Sequence, residues 1–199
     1  MFFPEPQRRL SAWKGEPKGT TNTANSTART AGYTGTFDPI TLGHLHIIRR
    51  GSRLFDRLIV GVGVNTKKIP LFNPQERIEF VRRTTGSCGN VEVLPFQGLA
   101  VDFVRQCGTR VMIRGVRPLT DIAAEFTMMM ANRQLDPDIE TVFLMADEEF
   151  SHVSSSLIKE ITPLATDEML ARFLPRDIIP DLRKRLAESG RTFGPPELE

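Results

Sequence analysis

From residue 29 onward, apolar positions fall into two alternating rhythms: short runs rich in Ile, Val and Leu, and longer stretches with apolar residues three or four apart. Residues 30–34 form the first short run, predicted to be a strand. A helix follows over about 41–55, with Leu45, Ile48 and Phe55 as its inward stripe. Residues 58–64 read as a buried strand flanked by charge. The next helix opens on Asn73-Pro74-Gln75-Glu76, with Asn as N-cap, Pro at the first helical position and Glu where a capping box needs it. Strands are then expected at 91–95, 110–114 and 141–145, separated by helices at 99–107 and 121–135. Gly108 can end the first of these helices in a left-handed conformation. Residues 154–189 are predicted to be helical, with breaks at Pro163, Pro175 and Pro180.

Strand and helix alternating five times imply an α/β fold: a Rossmann-like open parallel five-stranded sheet flanked by helices, with a helical C-terminus. Ligands of such sheets bind beyond the carboxyl ends of the strands. The loops to inspect are therefore 34–43, 65–73, 96–100, 115–119 and 146–156.

Neither rhythm reaches the ends of the chain. Residues 1–28 mix prolines and glycines with the polar run Thr20-Thr21-Asn22-Thr23-Ala24-Asn25-Ser26-Thr27, and a disordered tail is expected there. Arg8-Arg9 precedes no continuous apolar stretch, which argues against a signal peptide. A transit peptide or a start codon assigned too early would look alike. Residues 29–189 are expected to form the domain, and 190–199 a flexible C-terminal tail. No apolar run is long enough for a bilayer, and a net charge of +2 gives no reason to expect nucleic acid. Cys88 and Cys107 lack ligand or disulfide spacing and suit a reducing, cytoplasmic setting.

Chemistry concentrates in the loop Thr34-Gly35-Thr36-Phe37-Asp38-Pro39-Ile40-Thr41-Leu42-Gly43-His44. Gly35 and Gly43 let phosphates approach the backbone, and a helix opening near Thr41 would aim amide groups at them. His44 sits in the first turn, able to stabilise charge growing on a phosphate. A lone histidine beside a Gly-rich turn would mean little; the joint run is what carries the signal. Walker A and catalytic-triad patterns are absent, and Gly61-x-Gly63 is only a partial echo of a dinucleotide fingerprint.

This run resembles the signature of the nucleotidylyltransferase superfamily. Three downstream segments resemble the phosphopantetheine adenylyltransferase family within it: Ile113-Arg114-Gly115-Val116-Arg117, Asn132-Arg133, and Phe150-Ser151-His152-Val153-Ser154-Ser155-Ser156. The resemblance spans about 30–162. It implies transfer of the adenylyl group of ATP to 4′-phosphopantetheine, with Mg²⁺ carried in on ATP rather than by protein carboxylates. It also implies a homo-oligomer, a hexamer, with coenzyme A as a feedback ligand. Thr36 and His44 would meet the ATP phosphates, joined in binding ATP by Phe37, Gly115, Val116, Arg117, Glu125, Phe150, Ser151, His152, Val153, Ser154, Ser155 and Ser156. Thr36, Lys68, Ala100 and Arg114 would bind phosphopantetheine, and His44, Lys68 and Thr36 would carry catalysis.

Each residue also has a plainer reading: Lys67 and Lys68 as a solvated pair, Arg114 and Arg117 as ion-paired surface groups, the serines as helix caps. The chain departs from the family's pattern at Thr34, Ala124, Ala131, Phe150 and Pro163. Two competing functions stay open. One is another nucleotidylyltransferase, such as a nicotinamide mononucleotide adenylyltransferase, and the other is a nucleotide-binding module with weakened catalysis.

Overall fold

The computed structural model describes residues 28–64, 70–117 and 121–189. The expectations for residues 1–27, for Lys67 and Lys68, and for 190–199 lie outside them. Five strands form one sheet: β1 (Thr30–Gly35), β2 (Arg57–Gly63), β3 (Val91–Phe96), β4 (Val111–Val116) and β5 (Glu140–Met145). They are parallel throughout and ordered β3-β2-β1-β4-β5. Helices α1 (Leu42–Leu54), α2 (Pro74–Thr85), α3 (Ala100–Gln106) and α4 (Ile122–Leu135) connect successive strands. A 3₁₀ turn (Glu148–Phe150) and helices α5 (Ser155–Ile161), α6 (Asp167–Leu170) and α7 (Ile179–Ser189) follow β5.

Local chemistry sets the helix ends. Asn73 and Glu76 close the predicted capping box reciprocally, with Pro74 behind the cap. Gly108 adopts φ +72°, the left-handed exit after α3. Pro180 differs from expectation. It lies in the first turn of α7, where a missing N–H leaves no helical bond unmade, so it starts that helix instead of breaking it.

The sheet has two apolar faces. Tyr33, Ile48, Val60, Ile113 and Ile158 belong to the larger core, to which α1, α2, α5 and α7 contribute; Ile59, Met112, Val101, Phe103 and Val104 form the smaller one with α3. The second core explains Gly61-x-Gly63. A Cβ at Gly61 would stand 2.4 Å from Phe103 Cε1, and one at Gly63 3.3 Å from the Phe96 ring. These glycines admit aromatic rings rather than a dinucleotide. Helix α4 packs less completely: Asn132 is its one buried residue, while Ile122, Phe126, Met128, Met130 and Leu135 are exposed.

Strand order reverses between β1 and β4, and open α/β sheets receive ligands at such a point. The ladders there are unequal. Strands β1 and β2 pair over six positions, whereas β1 and β4 pair only at Gly32–Met112 and Tyr33–Ile113. Beyond those residues the two strands part. The resulting crevice is flanked by Thr34 and Gly35 on one side and by Arg114, Gly115 and Val116 on the other.

Candidate functional site

Helix α1 starts at the crevice, and His44 itself completes its cap. Thr41 Oγ1 accepts the His44 N–H at 3.2 Å, and His44 Nδ1 accepts the Thr41 N–H at 3.1 Å. An accepting Nδ1 puts the ring hydrogen of neutral imidazole on Nε2. Phe37 packs edge-on against the ring at 5.1 Å between centroids and is itself held edge-on by Tyr33. Burial first, then the charges of Arg117 and Arg114, push the His44 pKa down to about 4. His44 is therefore a neutral donor fixed by its own helix. Phe37, expected at the nucleotide, is 1% exposed with φ +50°, so its side chain serves to support His44. Thr36 beside it is exposed at the crevice.

Both arginines of β4 and its exit already have carboxylate partners. Arg114 Nε and Nη2 each donate to Glu125 at 2.7 Å, and Nη1 donates to the Thr34 carbonyl at 3.1 Å. That last bond spans the gap where the β1–β4 ladder stops. The Thr34 hydroxyl, at 3.4 Å, adds an acceptor that proline at this position would lack. Burial works against the Arg114 charge, but Glu125 more than offsets it and the pKa ends above its ordinary value. Arg117 forks onto Asp121 with two 2.6 Å bonds and donates to the Val153 carbonyl at 3.2 Å. The ion-paired reading of these arginines is thus correct, and the pairs flank the crevice.

The loop after β5 closes the other side. Ser154 caps α5 by accepting the Leu157 N–H at 3.1 Å, and Ser155 Oγ donates to the Pro39 carbonyl at 2.8 Å. Val116 and Val153 are buried, Phe150 and Ser151 half-buried, and His152 and Ser156 exposed. Ala100 opens α3 at the end of the β3 loop. The structure therefore gathers Thr36, Phe37, His44, Arg114, Gly115, Val116, Arg117 and Glu125 around the crevice, tied by Arg117 and Ser155 to the loop of Phe150 to Ser156. A groove of about 420 Å³ between α2 and α7 is separate; ion pairs of Arg83 with Asp181 and of Arg185 with Glu76 bridge it.

Sequence reasoning missed three supports. Asp38 accepts the N–H groups of Leu71 and Phe72, both at 2.9 Å, and pairs with Lys159 Nζ at 3.0 Å. Arg77, 1% exposed, donates to the carbonyls of Thr36 at 2.7 Å, Gly63 at 2.8 Å and Phe72 at 3.2 Å. It pins the ends of β1 and β2 together. Its signal was available, since Arg77 shares the buried face of α2 with Val81 and Thr85 at four-residue spacing. His46, on α1 two residues after His44, has Nε2 3.1 Å from Asp147 Oδ2.

The cytidylyltransferase-like family model matches residues 33–161. A phosphopantetheine adenylyltransferase of Rhodopirellula baltica is 67% identical over 156 residues, covering 78% of this chain and 87% of the relative. One of Clostridium botulinum is 44% identical over 153 residues, covering 77% and 95%. The solved structure of Plasmodium falciparum nicotinic acid mononucleotide adenylyltransferase complexed with NaAD superposes with a TM-score of 0.60 over 82% of this chain and 96% of that one. At 11% identity it bears on the fold alone. Fold, crevice and relatives agree, and the chain belongs to the phosphopantetheine adenylyltransferase family of the cytidylyltransferase-like nucleotidylyltransferases.

Proposed function

We propose that this chain transfers the adenylyl group of ATP to 4′-phosphopantetheine, giving dephospho-coenzyme A and pyrophosphate. One observation carries the assignment of roles. A neutral imidazole, its Nδ1 held by the Thr41 N–H, stands close enough to Arg114 and Arg117 to be acted on by both charges. A phosphate of the acceptor attacks the α-phosphorus of ATP in line, pyrophosphate leaves, and no covalent intermediate is required. The protein's contribution is to position the reactants and to stabilise negative charge as it develops.

His44 donates from Nε2 to the α-phosphate oxygen as charge grows there, while the Thr36 hydroxyl and the loop backbone meet the phosphates. Lys68 and Arg114 grip the acceptor phosphate, and Ala100 lines the pantetheine channel. Because the Arg114 fork rests on Glu125, an incoming phosphate shares or takes over that fork. Glu125, Gly115, Val116, Arg117 and the Phe150 to Ser156 loop hold the nucleotide. Magnesium accompanies ATP and is bound by its phosphates.

The exposed apolar residues of α4 suit self-association, and a homohexamer is the assembly we propose. The small exposed residues Ala124 and Ala131 lie on the same helix. A monomer by light scattering at micromolar concentration would remove that reading. A cytoplasmic location fits two free thiols, Cys88 and Cys107. Among the described residues no helix is long and apolar enough to cross a membrane. Coenzyme A, which contains the product, is the feedback ligand we expect at the same crevice.

Pyrophosphate release from ATP tests the whole proposal. Release should depend on 4′-phosphopantetheine and be absent with nicotinamide mononucleotide. Release with the latter would make the chain a different nucleotidylyltransferase, and tight ATP binding without release would make it a binding module.

A further inference from the structure

Among the described residues, one buried side-chain atom lacks a hydrogen-bond partner: His46 Nδ1. Such an atom costs stability, so something else must hold the ring where it is. Two contacts do. Nε2 lies 3.1 Å from Asp147 Oδ2, and the ring packs on Phe150 at 4.9 Å between centroids with a 40° tilt. Arg50, one helical turn further along α1, donates to the Met145 carbonyl and reaches Asp147 Oδ1 at 3.4 Å. The chain leaving β5 is therefore gripped at Met145, Asp147 and Phe150 by the helix that presents His44. Its far end is held separately, by Arg117 on the Val153 carbonyl and by Ser155 on the Pro39 carbonyl.

We propose that His46, with Arg50 and Asp147, is a positioning device for the nucleotide. It fixes the front half of the Phe150 to Ser156 loop to α1, so that one rigid element sets both the transition-state donor and the adenylate-binding loop. His46 touches no reacting atom in this account and acts through Asp147 and Phe150. The inference rests on the nucleotide assignment of that loop made above.

The test is equilibrium binding of ATP by the full chain, measured by calorimetry, alongside steady-state kinetics. A hydrogen bond to a charged group lost from such a tether should weaken ATP binding about tenfold in both His46→Ala and Asp147→Ala. The double variant should lose less than the two single losses combined, because both remove the same His46–Asp147 contact. His46→Gln, whose amide nitrogen can replace Nε2, should recover most of the affinity. KM for phosphopantetheine and kcat should stay within about twofold, because those interactions lie elsewhere. Unchanged ATP affinity in Asp147→Ala, whose carboxylate is exposed enough for the chain to keep its fold, would overturn the proposal. So would equal losses for both substrates with a lowered melting midpoint, which is the mark of a merely structural role. Should the wild-type chain bind ATP yet release no pyrophosphate, the function reading fails while the binding comparison still decides this one.

Discussion

His44→Gln separates the imidazole from the helix it caps. Glutamine at this third helical position can still reach back to the Thr41 N–H, so α1 should keep its capping box. In the wild-type chain the folded-state pKa is about 4, against 6.5 for a free imidazole. Between those values the unfolded chain takes up a proton that the folded chain refuses. This contribution is intact above pH 6.5, declines as pH falls towards 4, and is constant below. Its full size is roughly 3 kcal/mol, since each pH unit between the two values is worth about 1.4 kcal/mol. Urea denaturation of both proteins across this range isolates it, because every other titrating group cancels in the difference. The wild type should lose up to about 3 kcal/mol relative to His44→Gln on going from neutral pH to pH 4. A difference independent of pH would refute the half-buried neutral imidazole. At neutral pH the same variant should lose about a hundred- to a thousandfold in kcat with KM for ATP unchanged. Near-normal kcat with weakened ATP binding would make His44 an ordinary ground-state ligand.

Other perturbations test the scaffold and the second substrate. Gly61→Ala forces a methyl group to 2.4 Å from Phe103 and should cost about 1–3 kcal/mol in denaturant unfolding. Gly89→Ala, with nothing within 4 Å, should be close to neutral. Arg77→Met leaves three carbonyls without their donor and should cost at least about 3 kcal/mol; a smaller loss would mean water or another cation takes its place. Lys68→Ala should raise KM for phosphopantetheine and slow turnover while leaving KM for ATP alone, and an unchanged acceptor KM would remove Lys68 from the phosphate grip.

Features written into neighbouring residues were legible from the sequence. The α2 cap, the Gly108 exit and the strand–helix alternation depend on residues within a turn of one another, where periodicity and propensity operate. The signature loop was legible for the same reason. What escaped depends on remote partners. Asp38 meets Lys159 across 121 positions, and Arg77 meets the Thr36 carbonyl across 41. Four-residue spacing could mark Arg77 as inward-facing, but no spacing rule names a partner so far along the chain. Ion pairing of Arg114 was one of two readings left open, but Glu125 as its partner escaped, as did Asp147 for His46, because a charged residue in a motif looks the same whether it is free or occupied. Pro180 misled because proline starts helices as readily as it ends them.

Helix α4 is tied down at its start and left uncovered along the rest of its length. Asp121 and Glu125 lie at its first turn, each forked onto an arginine of the crevice, while Phe126, Met128, Met130 and Leu135 stay uncovered. On the proposed roles and assembly, a phosphate that draws Arg114 away from Glu125 would remove one anchor from this helix, and a neighbour packed on its apolar residues would supply another. Two events sharing one element are thermodynamically linked, and linkage is reciprocal. Substrate affinity should therefore vary with protein concentration, and the degree of association should vary with substrate.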